Sequence, residues 1–187
     1  TLPWGSLTGI RPCKMMREMV ERGEIKEHIV PEVLMKEFFV DEKKAKLVFE
    51  IMKNQKCIIK NDKLVDLFIN IPICPTRCNY CSFISNELCS VADKVDLYLD
   101  CLLKELRAVK ELIAEKSYII RTIYIGGGTP TVLTVRQLER LLAEINYPVS
   151  EFTVECGRAD TITREKLEIL KKYNVNRISI NPQTFCE

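Results

Sequence analysis

The chain has 187 residues, of which 47% are hydrophobic and 29% are charged. This balance is typical of a globular protein with a buried core and excludes a disordered chain. The 28 lysine and arginine residues nearly balance the 26 aspartate and glutamate residues, so the net charge of +2 predicts neither a nucleic-acid partner nor binding to an anionic membrane.

Residues 1–60 are predicted to form a helical N-terminal segment. One helix over residues 11–22 ends at Gly23, and Asp41 can cap a later helix. The apolar residues of that later helix recur on one face: Ala45, Val48, Ile51 and Met52.

Residues 61–187 are predicted to form an α/β unit. Short apolar strands alternate there with amphipathic helices, which is the signature of βαβ units and a parallel sheet. A long helix is expected over residues 93–115, and Thr134 and Thr163 are expected to cap the two later helices. The four predicted strands cover residues 64–73, 121–125, 151–156 and 177–180.

The period of two along these strands separates two faces of the predicted sheet. One face is apolar and is expected to lie under the helices: Leu67, Ile69, Ile71, Phe152, Val154, Cys156, Ile178 and Ile180. The other is mostly small and polar: Asp66, Phe68, Asn70, Thr153, Glu155, Ser179, Asn181 and Gln183. A filled barrel interior would be rich in Val, Ile and Leu, so this second face predicts a cavity wall, with a solvated sheet face as the alternative.

Three cysteines follow the first predicted strand with the spacing C-x3-C-x2-C. Cys74, Cys78 and Cys81 share their loop with Pro75 and Asn79, which suit an exposed position. Three thiolates at this spacing can bind three corners of an iron–sulfur cubane and leave one iron without a protein ligand. The sequence therefore predicts an open iron–sulfur cluster.

The alternatives for this loop are a zinc site, a ferredoxin-type run and a chance group of core cysteines. A zinc site would need a fourth ligand such as Cys89 or His28, and neither follows the usual spacing of a second ligand pair. A ferredoxin-type run would continue with a further cysteine and a proline, whereas Ser82 and Phe83 follow here.

No stretch of the sequence approaches the apolar length of a membrane span, and no secretory signal pattern opens it. We therefore expect a cytoplasmic protein whose nine cysteines are reduced. The six cysteines outside the loop have no mutual spacing that suggests a site: Cys13, Cys57, Cys89, Cys101, Cys156 and Cys186.

Three consecutive glycines, Gly126, Gly127 and Gly128, follow the second predicted strand and precede Thr129 and Pro130. Glycine lets the backbone approach a ligand closely and adopt positive φ. A tight strand-to-helix turn would use the same residues. The run comes one strand after the cysteine loop, however, and the carboxyl ends of parallel strands form the ligand-binding rim of such folds.

The cysteine loop, with Tyr80 before its last cysteine, and the glycine run resemble those of the radical S-adenosylmethionine (SAM) enzymes. Four further runs are similar to oxygen-independent coproporphyrinogen III oxidases, and most similar to their coproporphyrinogen dehydrogenase HemZ branch: PWGSLTGIRP (3–12), NIP (70–72), ECGR (155–158) and RISINPQT (177–184). This resemblance implies that residues 61–187 form the N-terminal part of a (β/α) radical SAM barrel, with about four of six strands present and the C-terminal part missing.

By this resemblance, Cys74, Cys78 and Cys81 hold a [4Fe-4S] cluster whose fourth iron binds SAM. An electron from the cluster would cleave SAM, and the resulting radical would take a hydrogen atom from a propionate side chain of coproporphyrinogen III. Loss of CO2, and of one electron to an unidentified acceptor, would then leave a vinyl group of protoporphyrinogen IX. The residues implied to contact SAM are Tyr80, Gly127, Gly128, Thr129, Glu155 and Gln183.

The resemblance assigns no catalytic residue beyond the cluster ligands, and it implies a porphyrinogen substrate with an unidentified electron donor and acceptor. A heme-chaperone branch of the same superfamily, which holds the cluster and SAM without oxidase chemistry, is the alternative function. The chain has Phe83 where the characterised oxidases have a further cysteine, and Phe68 where they usually have a tyrosine, so a second SAM is not assumed.

Two of the implied SAM contacts have a second interpretation from the residues alone. Glu155 could form an ion pair with Arg177 or Arg158, and Gln183 could cap the end of its strand. The position of Glu155 and Gln183 on the polar face, near the carboxyl ends of their strands, favours contact with the cofactor.

Overall fold

The chain folds into two compact units that meet in sequence between residues 60 and 61. The computed structural model describes residues 2–56, 63–83 and 85–182. Each unit has its own hydrophobic core.

In the N-terminal unit, residues 2–56 form three α-helices: α1 (Pro12–Glu21), α2 (Val30–Glu37) and α3 (Glu42–Gln55). The predicted cap of α3 is confirmed, because the Asp41 carboxylate accepts a hydrogen bond of 2.9 Å from the backbone N–H of Lys43. Of the predicted apolar stripe, Ile51 is only half-buried. The core of this unit consists of Met16, Val30, Leu34, Val40, Ala45, Val48 and Met52.

The second unit is built on a four-stranded parallel sheet. In their spatial order, the strands are β1 (Leu64–Ile71), β4 (Ile119–Gly127), β5 (Glu151–Glu155) and β6 (Arg177–Ser179). A short parallel pair, β2 (Ile73–Cys74) and β3 (Asn86–Glu87), lies just after β1 in the chain and was not predicted. The predicted α/β class with a parallel sheet is confirmed.

The helices of this unit are α4 (Leu88–Val91), α5 (Val95–Lys116), α6 (Val135–Glu144) and α7 (Arg164–Lys172). Thr134 and Gln137 form the capping box that the sequence predicts at the start of α6. Thr163 caps α7 by accepting from the backbone N–H of Lys166. Since α5, α6 and α7 each connect one strand of the sheet to the next, all four strands end at the same edge.

The apolar face of the sheet supplies much of the core. Ile69, Ile71, Phe152, Val154 and Cys156 are buried, as predicted. The prediction was wrong for β6 and the residue after it, where Ile178 and Ile180 remain 38% and 54% exposed. Within the described part of the chain, β6 is the edge strand of the sheet with β5 as its one neighbour, and Ile180 follows this strand.

The opposite face is open along β1 and more closed along β5. Asp66 and Asn70 are exposed, whereas Thr153 is buried and Glu155 is half-buried. Phe68 is also exposed, and its ring stacks on that of Tyr124 at a centroid distance of 5.9 Å.

Across the described ranges, the helices do not combine the length and the apolar character that a membrane crossing requires.

Candidate functional site

The cysteine loop leaves the sheet through the short strand β2. Cys74 ends β2, and the backbone N–H of Cys81 donates a hydrogen bond of 3.0 Å to the carbonyl of Cys78, which tightens the loop between them. All three cysteines are free and partly exposed. Their thiols are therefore accessible for ligation.

A cavity of about 200 Å³ lies at the carboxyl ends of the strands. It brings together eight of the predicted site residues, namely Cys74, Cys78, Tyr80, Cys81, Gly127, Gly128, Thr129 and Glu155. Its other lining residues are Phe83, Ser85, Gly157, Arg158 and Asn181. Gln183 lies outside the described residues, so its predicted role stays a prediction.

The glycine run packs directly against β1 and β2. Gly127 has a φ of +108°, and a Cβ there would lie 2.0 Å from Oδ1 of Asn70. A Cβ on Gly128 would lie 2.7 Å from the carbonyl oxygen of Ile73 and 2.9 Å from Sγ of Cys74. Both positions therefore require glycine for the run to approach the cysteine loop this closely.

Backbone hydrogen bonds hold the glycine run in this position. The N–H of Gly128 donates to the carbonyl of Ile71, and the N–H of Thr129 donates to the carbonyl of Ile73, each at 2.9 Å. The buried Thr129 hydroxyl also donates to Sγ of Cys74 at 3.5 Å. This contact ties the residue after the glycine run directly to the first cysteine of the loop.

Glu155 lies at the end of β5 and accepts a hydrogen bond from the Tyr124 hydroxyl, with 2.5 Å between the phenol oxygen and Oε1. This hydrogen bond, together with partial burial and the nearby negative charge, raises the pKa of Tyr124 to about 12. The ion-pair interpretation of Glu155 was wrong, because Arg177 pairs with Glu151 and Arg158 pairs with Asp160.

Tyr124, the hydrogen-bond partner of the cavity residue Glu155, was missed by the sequence interpretation. A signal for it was present, since Tyr124 alternates with the buried Ile123 and Ile125 and must therefore lie on the polar face. Only the parallel register of β4 and β5 brings it next to Glu155.

Arg158 connects the loop after β5 to the cysteine loop. Its Nη1 donates to Oγ1 of Thr76 at 2.7 Å, while its Nε and Nη2 donate to the two carboxylate oxygens of Asp160 at 3.0 and 2.5 Å. The hydrogen bond from Arg158 lowers the pKa of Asp160. No pattern in the sequence indicated this bridge, because Thr76 and Arg158 are 82 residues apart.

Lys166 of α7 joins two of the loops that carry the site. Its ammonium group donates to the carbonyl of Thr131 at 2.5 Å and to that of Thr161 at 3.0 Å. The hydroxyls of Thr131 and Thr161 lie 2.6 Å apart in the same buried cluster. Partial burial lowers the pKa of Lys166, and the two carbonyl contacts anchor the segment after the glycine run to the loop after β5.

The donor set of the cavity fits an iron–sulfur cluster. Three thiols on one loop, with a hydroxyl donor against one of them, match the cysteine ligation of such clusters. Within residues 2–56, 63–83 and 85–182, no three His, Cys, Asp or Glu side chains converge on a point where they could share a single metal ion. Cysteines on separate corners of a cubane bind separate irons and do not have to converge in this way.

Cys89, the fourth ligand considered for a zinc site, is exposed in α4. Its thiol donates to Oε2 of Glu87 at 3.8 Å.

The proteins to which this chain is similar include two from Bacillus subtilis. The oxygen-independent coproporphyrinogen-III oxidase-like protein HemZ of Bacillus subtilis is 38% identical over 99% of the chain, which spans 39% of that protein. The heme chaperone HemW of the same organism is 40% identical over 63% of the chain, which corresponds to 31% of that protein.

A solved structure of the coproporphyrinogen III oxidase HemN from Escherichia coli, a radical SAM enzyme, superposes with a TM-score of 0.58 at 29% sequence identity. The superposition covers 66% of this chain and 28% of HemN, so this chain spans well under half the length of each of these proteins.

The Radical SAM superfamily model matches residues 69–187, which include both the cysteine loop and the glycine run. Proteins of this superfamily use a [4Fe-4S] cluster and SAM. The cavity places the cysteine loop, the glycine run and Glu155 together at the carboxyl edge of a parallel sheet, in agreement with that match. The chain belongs to the radical SAM superfamily.

Proposed function

We propose that this chain is the cofactor-binding part of an oxygen-independent coproporphyrinogen III oxidase, which converts coproporphyrinogen III to protoporphyrinogen IX by oxidative decarboxylation. The observation that carries the proposal is the cavity of about 200 Å³ in which three free cysteines meet a glycine run and a carboxylate. The similarity to the oxidase-like HemZ protein supports the oxidase over the chaperone, because it extends over 99% of the chain, whereas that to HemW covers 63%.

In this proposal, Cys74, Cys78 and Cys81 ligate three irons of the [4Fe-4S] cluster. The Thr129 hydroxyl would donate a hydrogen bond to the ligating sulfur of Cys74. When bound, the cluster and SAM supply the one-electron chemistry that removes a hydrogen atom from a propionate side chain of the substrate. Phe83 lines the cavity at the position where the characterised oxidases have a fourth cysteine, so this chain offers an apolar contact there.

The remaining predicted residues bind and orient SAM. Gly127 and Gly128 bring their backbone groups to the cavity wall, and Glu155 offers a half-buried carboxylate to the cationic part of SAM. Tyr80 is exposed at the cavity and provides an aromatic surface for the adenine. Gln183 contributes a hydrogen bond to a ribose hydroxyl.

The experiment uses the complete gene product that contains this chain, reconstituted with iron and sulfide without oxygen. We expect a [4Fe-4S] spectrum that changes when SAM is added. With coproporphyrinogen III, a chemical reductant in place of the electron donor and an added one-electron acceptor for the substrate radical, we expect 5'-deoxyadenosine, CO2 and a vinyl-bearing product. Cys78→Ser is expected to abolish all of these, whereas the matched control Cys101→Ser, an exposed cysteine of α5, is expected to retain them.

The second candidate function is a heme chaperone without oxidase activity. It is favoured by one observation, the 40% identity to the heme chaperone HemW. A chaperone needs a ligand for heme iron, and the single histidine of this chain is His28, which is exposed in the N-terminal unit. Heme binding without either 5'-deoxyadenosine or a vinyl product would contradict the oxidase and favour the chaperone.

A further inference from the structure

We propose that Tyr124 is a positioning residue, which orients the Glu155 carboxylate toward the cavity for the cationic part of SAM. This inference rests on the proposed function of the site. Neither the cysteine loop nor the glycine run implies a role for Tyr124, which is two residues upstream of Gly126.

The geometry of the sheet brings the two side chains together. Tyr124 is in register with Thr153 across the β4–β5 ladder, and Glu155 follows Thr153 by two residues on the same face. The phenol oxygen lies 2.5 Å from Oε1 of Glu155, a short hydrogen bond to a charged acceptor. Since Glu155 lines the cavity, a carboxylate held through Oε1 is presented there in one orientation.

The surroundings of Tyr124 hold its ring in place on two sides. The Phe68 ring stacks against it from β1 at an interplanar angle of 18°. At Gly126, an added Cβ would lie 2.7 Å from a ring carbon of Tyr124 and 3.0 Å from Cδ of Glu155. The first glycine of the run is therefore needed for this tyrosine–carboxylate pair, which gives it a purpose distinct from those of Gly127 and Gly128.

The hydrogen-bond partner of Glu155 is a neutral tyrosine and not a cationic side chain, which affects the kind of ligand that Glu155 can bind. The nearby arginines Arg177 and Arg158 are paired with Glu151 and Asp160. A tyrosine hydroxyl, whose pKa is raised to about 12, stays protonated at neutral pH and donates without cancelling the carboxylate charge. Glu155 is thus oriented by a neutral donor and forms no ion pair with either arginine, which suits a cationic ligand such as SAM.

The test measures the SAM dissociation constant of the cluster-loaded, complete gene product through the spectral change of the cluster. We expect Tyr124→Phe to weaken SAM binding about tenfold, since it removes one hydrogen bond to a charged group. Glu155→Gln is expected to weaken it at least as much. In the double variant, the tyrosine substitution should have no further effect, because its contribution acts through Glu155.

Tyr147→Phe is the matched control, because Tyr147 is a half-buried tyrosine that packs on the hydrophobic core and does not line the cavity. Unchanged SAM binding in Tyr124→Phe, or independent and additive losses in the double variant, would overturn the inference. An equal loss of SAM affinity in Tyr147→Phe would also overturn the inference. The weaker binding would then follow from removing a tyrosine hydroxyl anywhere in this unit and would not be specific to Tyr124.

Ultraviolet titration of the tyrosines provides a readout that does not depend on SAM. The wild-type protein should contain a phenol that titrates near pH 12, absent in Tyr124→Phe and shifted toward about 10 in Glu155→Gln. If the wild-type protein binds no SAM, the proposed function fails, and this titration alone decides whether Tyr124 and Glu155 are coupled. The Tyr124 signal is identified as the one that Tyr124→Phe removes, and the coupling would be overturned if that signal still titrated near pH 12 in Glu155→Gln.

Discussion

The two faces of the sheet are built on opposite principles. On the apolar face, Ile69, Ile71, Ile125 and Val154 are buried in one cluster in which each side chain has many apolar neighbours. On the polar face, individual pairs such as Tyr124 with Glu155 are held by single hydrogen bonds.

This difference separates stability from function. Apolar burial is non-directional, so the loss of one contact on the apolar face costs free energy of unfolding without redirecting any side chain. Hydrogen bonds on the polar face depend on distance and angle, so the loss of one partner leaves most of the stability and changes the orientation of a functional group.

The largest effect is expected from Ile125→Ala on the apolar face. Ile125 is fully buried, and its truncation should lower the free energy of unfolding by about 2–5 kcal/mol through lost burial and the cavity left behind. This change in the free energy of unfolding is measured by urea denaturation, with circular dichroism as the signal. The matched control is Ile119→Ala at the exposed start of the same strand, where we expect less than about 0.5 kcal/mol. Equal losses at the two positions would contradict the assignment of the faces.

Gly127→Ala tests the point where the glycine run meets β1. The positive φ and the contact with Asn70 should together lower the free energy of unfolding by about 1–3 kcal/mol and displace the cysteine loop. Gly23→Ala separates the two causes, because Gly23 also has a positive φ but an added Cβ there meets nothing within 4 Å. If both variants lose the same stability, close packing at Gly127 is not a separate contribution.

Lys166→Met tests the link that Lys166 forms between the segment after the glycine run and the loop after β5. The loss of the two hydrogen bonds to Thr131 and Thr161 should lower the free energy of unfolding by about 1 kcal/mol, a small value because the lysine is only partly buried. Limited proteolysis should detect faster cleavage in the loops that Lys166 joins. Lys171→Met, at an exposed position of the same helix, should match the wild type in both measurements.

The smallest effect is expected from Arg121→Gln on the polar face. Hydrogen bonding from Arg121 lowers the pKa of Asp66, and both side chains are substantially exposed, so the loss of this pair should lower the free energy of unfolding by less than Lys166→Met does. Because the pKa of Asp66 is lower in the folded state, this stability is present above about pH 3.9 and is lost as pH falls through the folded pKa. In Arg121→Gln, the pKa of Asp66 measured by NMR should rise toward 3.9. An unchanged value would contradict the pairing.

Local patterns predicted most of the elements. The Thr134 capping box, the Asp41 cap and the alternation of Ile69 and Ile71 depend on residues close together in sequence. Ile178 shows where such reasoning fails. The alternation of apolar and polar residues predicts its face of the sheet, but its burial depends on what covers that face at an edge strand.

The sequence by itself determined that three cysteines follow one strand, that a glycine run follows the next, and that both lie at the ligand-binding edge of a parallel sheet. Only the tertiary structure decided the partners of the site residues. Thr129 meets Cys74, Tyr124 meets Glu155 and Arg158 meets Thr76 across 55, 31 and 82 residues. Strand register and loop packing set these contacts, and a periodic pattern specifies the face on which a side chain lies but not its neighbour on the adjacent strand.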